Sequence, residues 1–231
     1  MNHSLFSGKM KLADLILTNC RLLYVFPLFG IEIGMGETTV KNACEKHGIS
    51  TDFFLLVCNL YTFDKYMPDS DILSQISLKD LLKYLRNSHT DYLEHRIPKI
   101  TDRILQSIKS CCTKHIKVVT EFCEKYMREV ITHFNYEEKI VFPYISALLN
   151  GDKPTDYNIK QYEDNHSNID AALEDLKNII IKYLPPECTI EKWRDILIDL
   201  FLFEDDLSKH TLLEDKILIS VVERIENTAK K

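Results

Sequence analysis

The sequence predicts an all-α protein: an antiparallel four-helix bundle preceded by a small helical N-terminal domain. Three observations lead there. From Ser77 onward, apolar residues recur at alternating spacings of three and four through four long segments. The 231 residues include only six glycines and seven prolines, too few for a turn-rich β architecture. Histidines and glutamates also recur on those apolar stripes in two matched sets.

The N-terminal part reads as short helices. Apolar segments (Leu12 to Leu17, Leu22 to Phe29, Val40 to Cys44, Phe53 to Tyr61) are separated by Gly30, Gly34, Gly36 and Gly48. Glu37-Thr38-Thr39 and Thr51-Asp52 look like helix starts. Residues 1–66 are therefore expected to hold three or four short helices. Residues 67–76, with Pro68 and small polar side chains, read as a linker, and the bundle is expected over 77–231.

Each long segment carries one buried face. In the first, Leu78, Leu82, Leu85, His89 and Tyr92 align, and Pro98 interrupts or kinks the helix. The second aligns Val119, Phe122, Tyr126, Val130, His133, Glu137, Ile140 and Tyr144, and stops at Asn150-Gly151-Asp152-Lys153-Pro154. The third aligns Ile159, Tyr162, His166, Ile169, Leu173, Leu176 and Ile180, and closes at Pro185-Pro186. Thr189 is a plausible N-cap for the fourth, which aligns Phe203, Leu207, His210, Glu214, Ile217 and Val221. The short connections make neighbouring helices antiparallel.

Two halves carry the same signature. His89 precedes His133 by 44 residues, and Glu137 follows four later; His166 precedes His210 by 44, and Glu214 follows four later. A lone His-x-x-x-Glu means little, but two copies at one offset do not arise easily by accident. All six residues lie on apolar stripes. Buried carboxylates cost several kcal/mol unless paired or coordinated, and cations between them would supply the compensation. Residues i and i+4 neighbour each other on one helix face, so each His-x-x-x-Glu can grip one metal or two adjacent ones. Helical carboxylate-bridged centres use two single-ligand and two double-ligand helices, and this set has the same layout with more nitrogen. Thiolates are absent from it, which disfavours structural zinc; imidazole with carboxylate suits iron, with manganese less favoured. The expected cofactor is two iron ions per chain with an oxo or hydroxo bridge. Each ion then keeps an open position where dioxygen, nitric oxide or peroxide could bind.

The other histidines (His3, His47, His95, His115) show no such pattern. Tyr92, Tyr126, Tyr136 and Tyr162 read as core packing, and Glu204 and Asp206 as a solvated helix face rather than acceptors for an imidazole N–H. Net charge is −6 with acids and bases mixed, which gives no electrostatic case for nucleic acid or an anionic membrane surface. The apolar runs are too short or too interrupted to span a bilayer, and the N-terminal segment does not read as a signal peptide. Seven cysteines without a Cys-x-x-Cys read as reduced thiols, Cys111-Cys112 included, hence a cytoplasmic protein.

His133-Phe-Asn-Tyr-Glu137-Glu138-Lys-Ile-Val-Phe-Pro143 and His210-Thr-Leu-Leu-Glu214-Asp-Lys-Ile-Leu resemble the hemerythrin-like (HHE) cation-binding proteins. The order His, His-x-x-x-Glu, His, His-x-x-x-Glu is closest to the branch of di-iron proteins that repair iron-sulfur clusters, whose ligands match His89, His133, Glu137, His166, His210 and Glu214. Oxygen-carrying hemerythrins, with a further histidine ligand, are less similar. Leu12-Ala-Asp-Leu and Val25-Phe-Pro-Leu-Phe-Gly-Ile-Glu32 resemble the small domain that precedes the bundle in that branch. There the branch carries a Cys-Cys-Gly-Gly turn; here Ile33-Gly34-Met35-Gly36-Glu37 has neither cysteine.

The resemblance implies iron donation to apo or damaged iron-sulfur proteins under oxidative or nitrosative stress. Two alternatives use the same site: a dioxygen or nitric oxide binding or sensing module, which the missing cysteines favour, and an enzyme reducing nitric oxide or peroxide. The residues assign no catalytic side chain.

Overall fold

Helices account for the regular secondary structure among the described residues, which in this computed structural model are 5–111, 116–152, 157–165 and 170–229. An isolated bridge between Lys11 and Thr39 is the one β-type pairing among them. The chain divides into two compact units, one of residues 1–88 with 212–231 and one of residues 89–211.

The first unit opens with α1 (Leu12–Thr18) and α2 (Leu22–Val25), which tightens into a 3-10 turn at Phe26–Phe29. Gly30, at φ 72°, ends that turn; its N–H reaches the carbonyls of Phe26 and Pro27, a left-handed conformation that glycine adopts without a Cβ penalty. Next come α3 (Val40–His47) and α4 (Thr51–Thr62), each starting on a side-chain cap: Thr39 accepts from the Asn42 N–H and Ser50 from the Phe53 N–H. α4 buries residues all round, from Phe53 to Tyr61, and so forms the centre of this unit. Its one buried amide, Asn59, is satisfied by accepting from the Phe6 N–H at 2.9 Å. Between residues 67 and 76, Ser70–Gln75 form α5, capped by Asp69. α6 (Leu78–Asp91) follows, and α13 (Ile219–Ala229) completes the helices.

The second unit is the bundle. Its helices are α7 (Ile97–Cys111), α8 (Ile116–Tyr136) continued by α9 (Phe142–Leu149), α10 (Ile159–Asn165) with α11 (Asp170–Tyr183), and α12 (Ile190–Leu212). The core follows the three-four rhythm: Ile97, Ile100, Ile104 and Ile108 meet Val119, Cys123, Tyr126 and Val130, and Leu173, Leu176 and Ile180 meet Trp193, Ile196, Leu200, Phe203 and Leu207. Two arginines clamp α12 to the antiparallel run of α7 and the residue before it: Arg96 pairs with Asp206 and, seven residues on, Arg103 pairs with Asp199 seven residues back. Lys177 pairs with Glu204 and ties α11 to α12.

Three π-turns interrupt the long helices, at Tyr92–Arg96, Glu137–Val141 and Leu213–Leu218. Two have a plain cause. Pro98 and Pro143 each stand two residues after a π-turn, and a proline can neither donate an N–H nor tolerate the carbonyl four residues back. The wider turn absorbs the misfit, so Pro98 does not end its helix. The extra residue also shifts the buried face: Val141 is buried where the even rhythm selects Ile140, which is 45% exposed. Upstream of that turn, in regular α-helix, Cys123 is buried and Phe122 packs partly buried against the same core.

Candidate metal centre

His89 lies in the last turn of α6, His133 in the last turn of α8 and His210 in the last turn of α12. Glu137 opens the π-turn that continues α8, and Glu214 lies in the π-turn that continues α12, one turn beyond His210. Each of these five residues is therefore beside or within a π-turn, a motif concentrated at functional sites. All five are buried, Glu137 and Glu214 to 0% exposure. They continue the stripes that build the core, so the periodicity that packs the bundle also turns them inward.

Among the described residues, His89, Glu137 and His210 can each offer one ligand atom such that these atoms lie within 4.8 Å of one another. The Nε2 atoms of His89 and His210 are 3.2 Å apart. His89 Nε2 is 3.3 Å from Glu137 Oε2, and His133 Nε2 is 3.3 Å from Glu137 Oε1. The two oxygens of Glu137 thus address different imidazoles. His166 lies outside the described residues, as do His3 and His115, whereas His47 and His95 are exposed.

These spacings fit a cation. Two ligand atoms that each sit about 2.1 Å from one ion stand about 3.0 Å apart at a right angle and about 3.4 Å apart at a tetrahedral one. The observed 3.2 and 3.3 Å fall between those limits. The donor set, imidazole nitrogen and carboxylate oxygen, suits iron among the divalent metals. Lone pairs on an imidazole nitrogen and a carboxylate oxygen face each other stably only around a proton or a metal ion, and a positive ion also offsets the cost of burying two carboxylates.

Two further residues belong to the site that periodicity alone did not single out. Tyr162, fully buried, donates its hydroxyl to Glu137 Oε1 at 2.6 Å rather than only packing the core. Glu138 accepts from His89 Nδ1 at 2.9 Å. A signal for Glu138 was present in the Glu137-Glu138 tandem, which places a second carboxylate 100° round the helix from the first. Asp206 is not on a solvated face: it is buried and paired with Arg96, whose guanidinium lies 4.8 Å from the centre of the Phe203 ring.

The thiols are remote in chemistry from this centre. Cys44, Cys58 and Cys123 are free and buried. Burial pushes Cys44 and Cys123 up to about 11 and Cys58 well above its ordinary value. Cys20 is free and exposed. Cys188 departs from the expectation of reduced thiols, since it is disulfide-bonded. No described helix is long and apolar enough to cross a membrane.

Residues 78–222 match the sequence model of the Hemerythrin HHE cation binding domain. Among curated proteins, the chain is similar to the "Iron-sulfur cluster repair protein YtfE" of Musicola paradisiaca (strain Ech703), 22% identical over 215 residues that cover 90% of this chain and 93% of the relative. It is also similar to the "Iron-sulfur cluster repair protein ScdA" of Staphylococcus haemolyticus (strain JCSC1435), 18% identical over 201 residues, 85% of this chain and 90% of the relative. No solved structure matches at a comparable level. With the family match spanning well over half of its length, and the buried histidines and glutamates falling inside the matched segment, the chain belongs to the hemerythrin HHE cation-binding family.

Proposed function

We propose that this protein is a non-haem di-iron protein of the iron-sulfur cluster repair type, which gives up iron to apo or damaged clusters. The observation that carries the reading is the division of Glu137, with Oε2 toward His89 and Oε1 toward His133. A carboxylate whose oxygens serve two imidazoles is the arrangement a bridging ligand requires. His89, His133, Glu137, His166, His210 and Glu214 are the side chains that would hold the iron. Similarity to the YtfE and ScdA repair proteins over most of both chains supports the same direction.

Bound iron would supply Lewis acidity and one-electron chemistry at positions the protein leaves open. The side chains do the rest. The α6, α8 and α12 ends turn three imidazoles inward, Tyr162 fixes one oxygen of Glu137 by a short hydrogen bond, and burial keeps water from the carboxylates. A site with few protein ligands per ion also lets an ion leave, which cargo delivery needs.

Metal analysis of protein purified without oxygen tests the first part, with about two irons per chain expected. Reactivation of an iron-depleted cluster enzyme by the iron-loaded protein tests the second; inactivity beside an active YtfE would overturn donation. One observation favours a gas-binding module instead: the turn that carries cysteines in the repair branch here reads Gly34-Met35-Gly36, with no thiol to receive iron. Reversible nitric oxide binding with full retention of iron would establish that second reading.

A further inference from the structure

His89 is held on four sides by one helix run. Its Nδ1 meets Glu138 Oε1 at 2.9 Å, its Nε2 meets Glu137 Oε2 at 3.3 Å, and its ring lies nearly parallel to Phe134 (4.1 Å, 16°) and Phe142 (5.5 Å, 9°). Phe134, Glu137, Glu138 and Phe142 all come from α8, its π-turn and the start of α9. The two rings set the tilt of the imidazole and the two carboxylates set its rotation. We infer that Glu138 is a positioning residue: by accepting the Nδ1–H of His89 it fixes the tautomer that presents the Nε2 lone pair to the metal centre before any metal arrives. The inference deepens the metal-site reading and rests on it.

The physical argument has two parts. A free imidazole exchanges its proton between two nitrogens, and only one tautomer has a lone pair on the inward Nε2. An outward carboxylate accepting from Nδ1 selects that tautomer and raises the basicity of Nε2. Glu138 is suited to this because it sits at the rim of the site, its side chain 34% exposed, with its carboxylate on the outer nitrogen of the ring. Glu137, fully buried, is the ligand, while Glu138 at the rim holds the histidine in place.

The test uses the full-length chain as wild type, Glu138→Ala, Glu138→Gln and, as a control, Glu94→Ala at an exposed site. Imidazole ¹⁵N spectra of the metal-free proteins report the tautomer of His89. Titration with Co(II) against a chromophoric chelator reports affinity, and the Co(II) visible spectrum reports ligand geometry. The wild type and Glu94→Ala should show a single Nδ1–H tautomer. Glu138→Ala should average the tautomers and weaken Co(II) binding about 10–100-fold at one position, while Glu138→Gln, which keeps an acceptor, recovers most of the loss. Wild-type affinity in Glu138→Ala overturns the positioning role and leaves the metal reading intact. Failure of the wild type to take up Co(II) overturns both.

Discussion

The two Arg–Asp pairs that join α12 to α7 and to the π-turn before it offer an internal comparison, because the residue types are the same and the burial differs. In Arg96–Asp206 the side chains are 10% and 5% exposed; in Arg103–Asp199 they are 35% and 29% exposed. Asp206→Ala strands the Arg96 cation in a low-dielectric site against Phe203 and Tyr92, and removing one partner of a buried pair costs about 3–5 kcal/mol. Asp91 softens the loss. Burial raises its carboxyl and Arg96 lowers it, so Asp91 already lies within electrostatic reach of the guanidinium and remains there when Asp206 is removed. That puts the cost near the lower end, about 3 kcal/mol. Asp199→Ala, at a solvated pair, should cost about 1 kcal/mol or less.

The assay is thermal unfolding followed by Trp193, the single tryptophan, which is buried in the core of the same unit. At about 2–4 °C per kcal/mol, the melting temperature of Asp206→Ala should fall by about 6–12 °C, with little change for Asp199→Ala. Replacing both partners, Arg96→Met with Asp206→Leu, should recover most of the loss, since an apolar pair avoids desolvating two charges. Equal destabilisation by the two alanine variants would refute the claim that burial decides the value of these pairs.

Other predictions follow from the centre itself. Glu137→Ala and Glu214→Ala should each cut iron content well below one per chain by elemental analysis, while His95→Ala, at an exposed position, leaves it unchanged. Tyr162→Phe removes a hydrogen bond to a carboxylate and should cost about 1.5–3 kcal/mol of stability, with weaker Co(II) binding in titration as its second sign. Iodoacetamide at pH 8 should modify Cys20 by peptide mapping and spare Cys44, Cys58 and Cys123. Burial raises the last three, so they remain neutral thiols at that pH, and Cys44 and Cys123 form thiolate only as pH climbs toward about 11.

Much of this architecture was legible because one geometric rule governs both core and centre. The three-four rhythm that buries Leu207 and Val130 also buries His210 and His133, so ligands stood out as polar residues at apolar positions. One part of what the rhythm missed traces to a place where the helix is not an even α-helix. Ile140 was assigned inward because the count assumed 3.6 residues per turn through Glu137–Val141, and the π-turn there exchanges it for Val141. Pro143 sits two residues beyond and held the clue. Asp206 was read as solvated because its partner, Arg96, lies 110 residues away on another helix, and sequence spacing says nothing of such pairs. Glu138 and Tyr162 were missed for a related reason: their roles are hydrogen bonds across helices, to His89 and Glu137.

The placement of the centre at π-turns has a consequence for how it works. An even α-helix puts residues i and i+4 on one face and locks their side chains into the stacking of the next turn. A wider turn releases that constraint locally, which lets Glu137 face His89 and His133 with different oxygens while Glu138, its immediate neighbour, still reaches the far nitrogen of His89. Two consecutive glutamates thereby contact both edges of one imidazole. The same prolines that cost each helix a hydrogen bond give the bundle this geometry, and the surrounding core of Phe134, Tyr92, Phe203 and Leu207 supplies the packing that offsets the loss. A local defect is stable here because aromatic side chains pack around it, and a buried, close-packed setting is also what a rigid site for a cation requires.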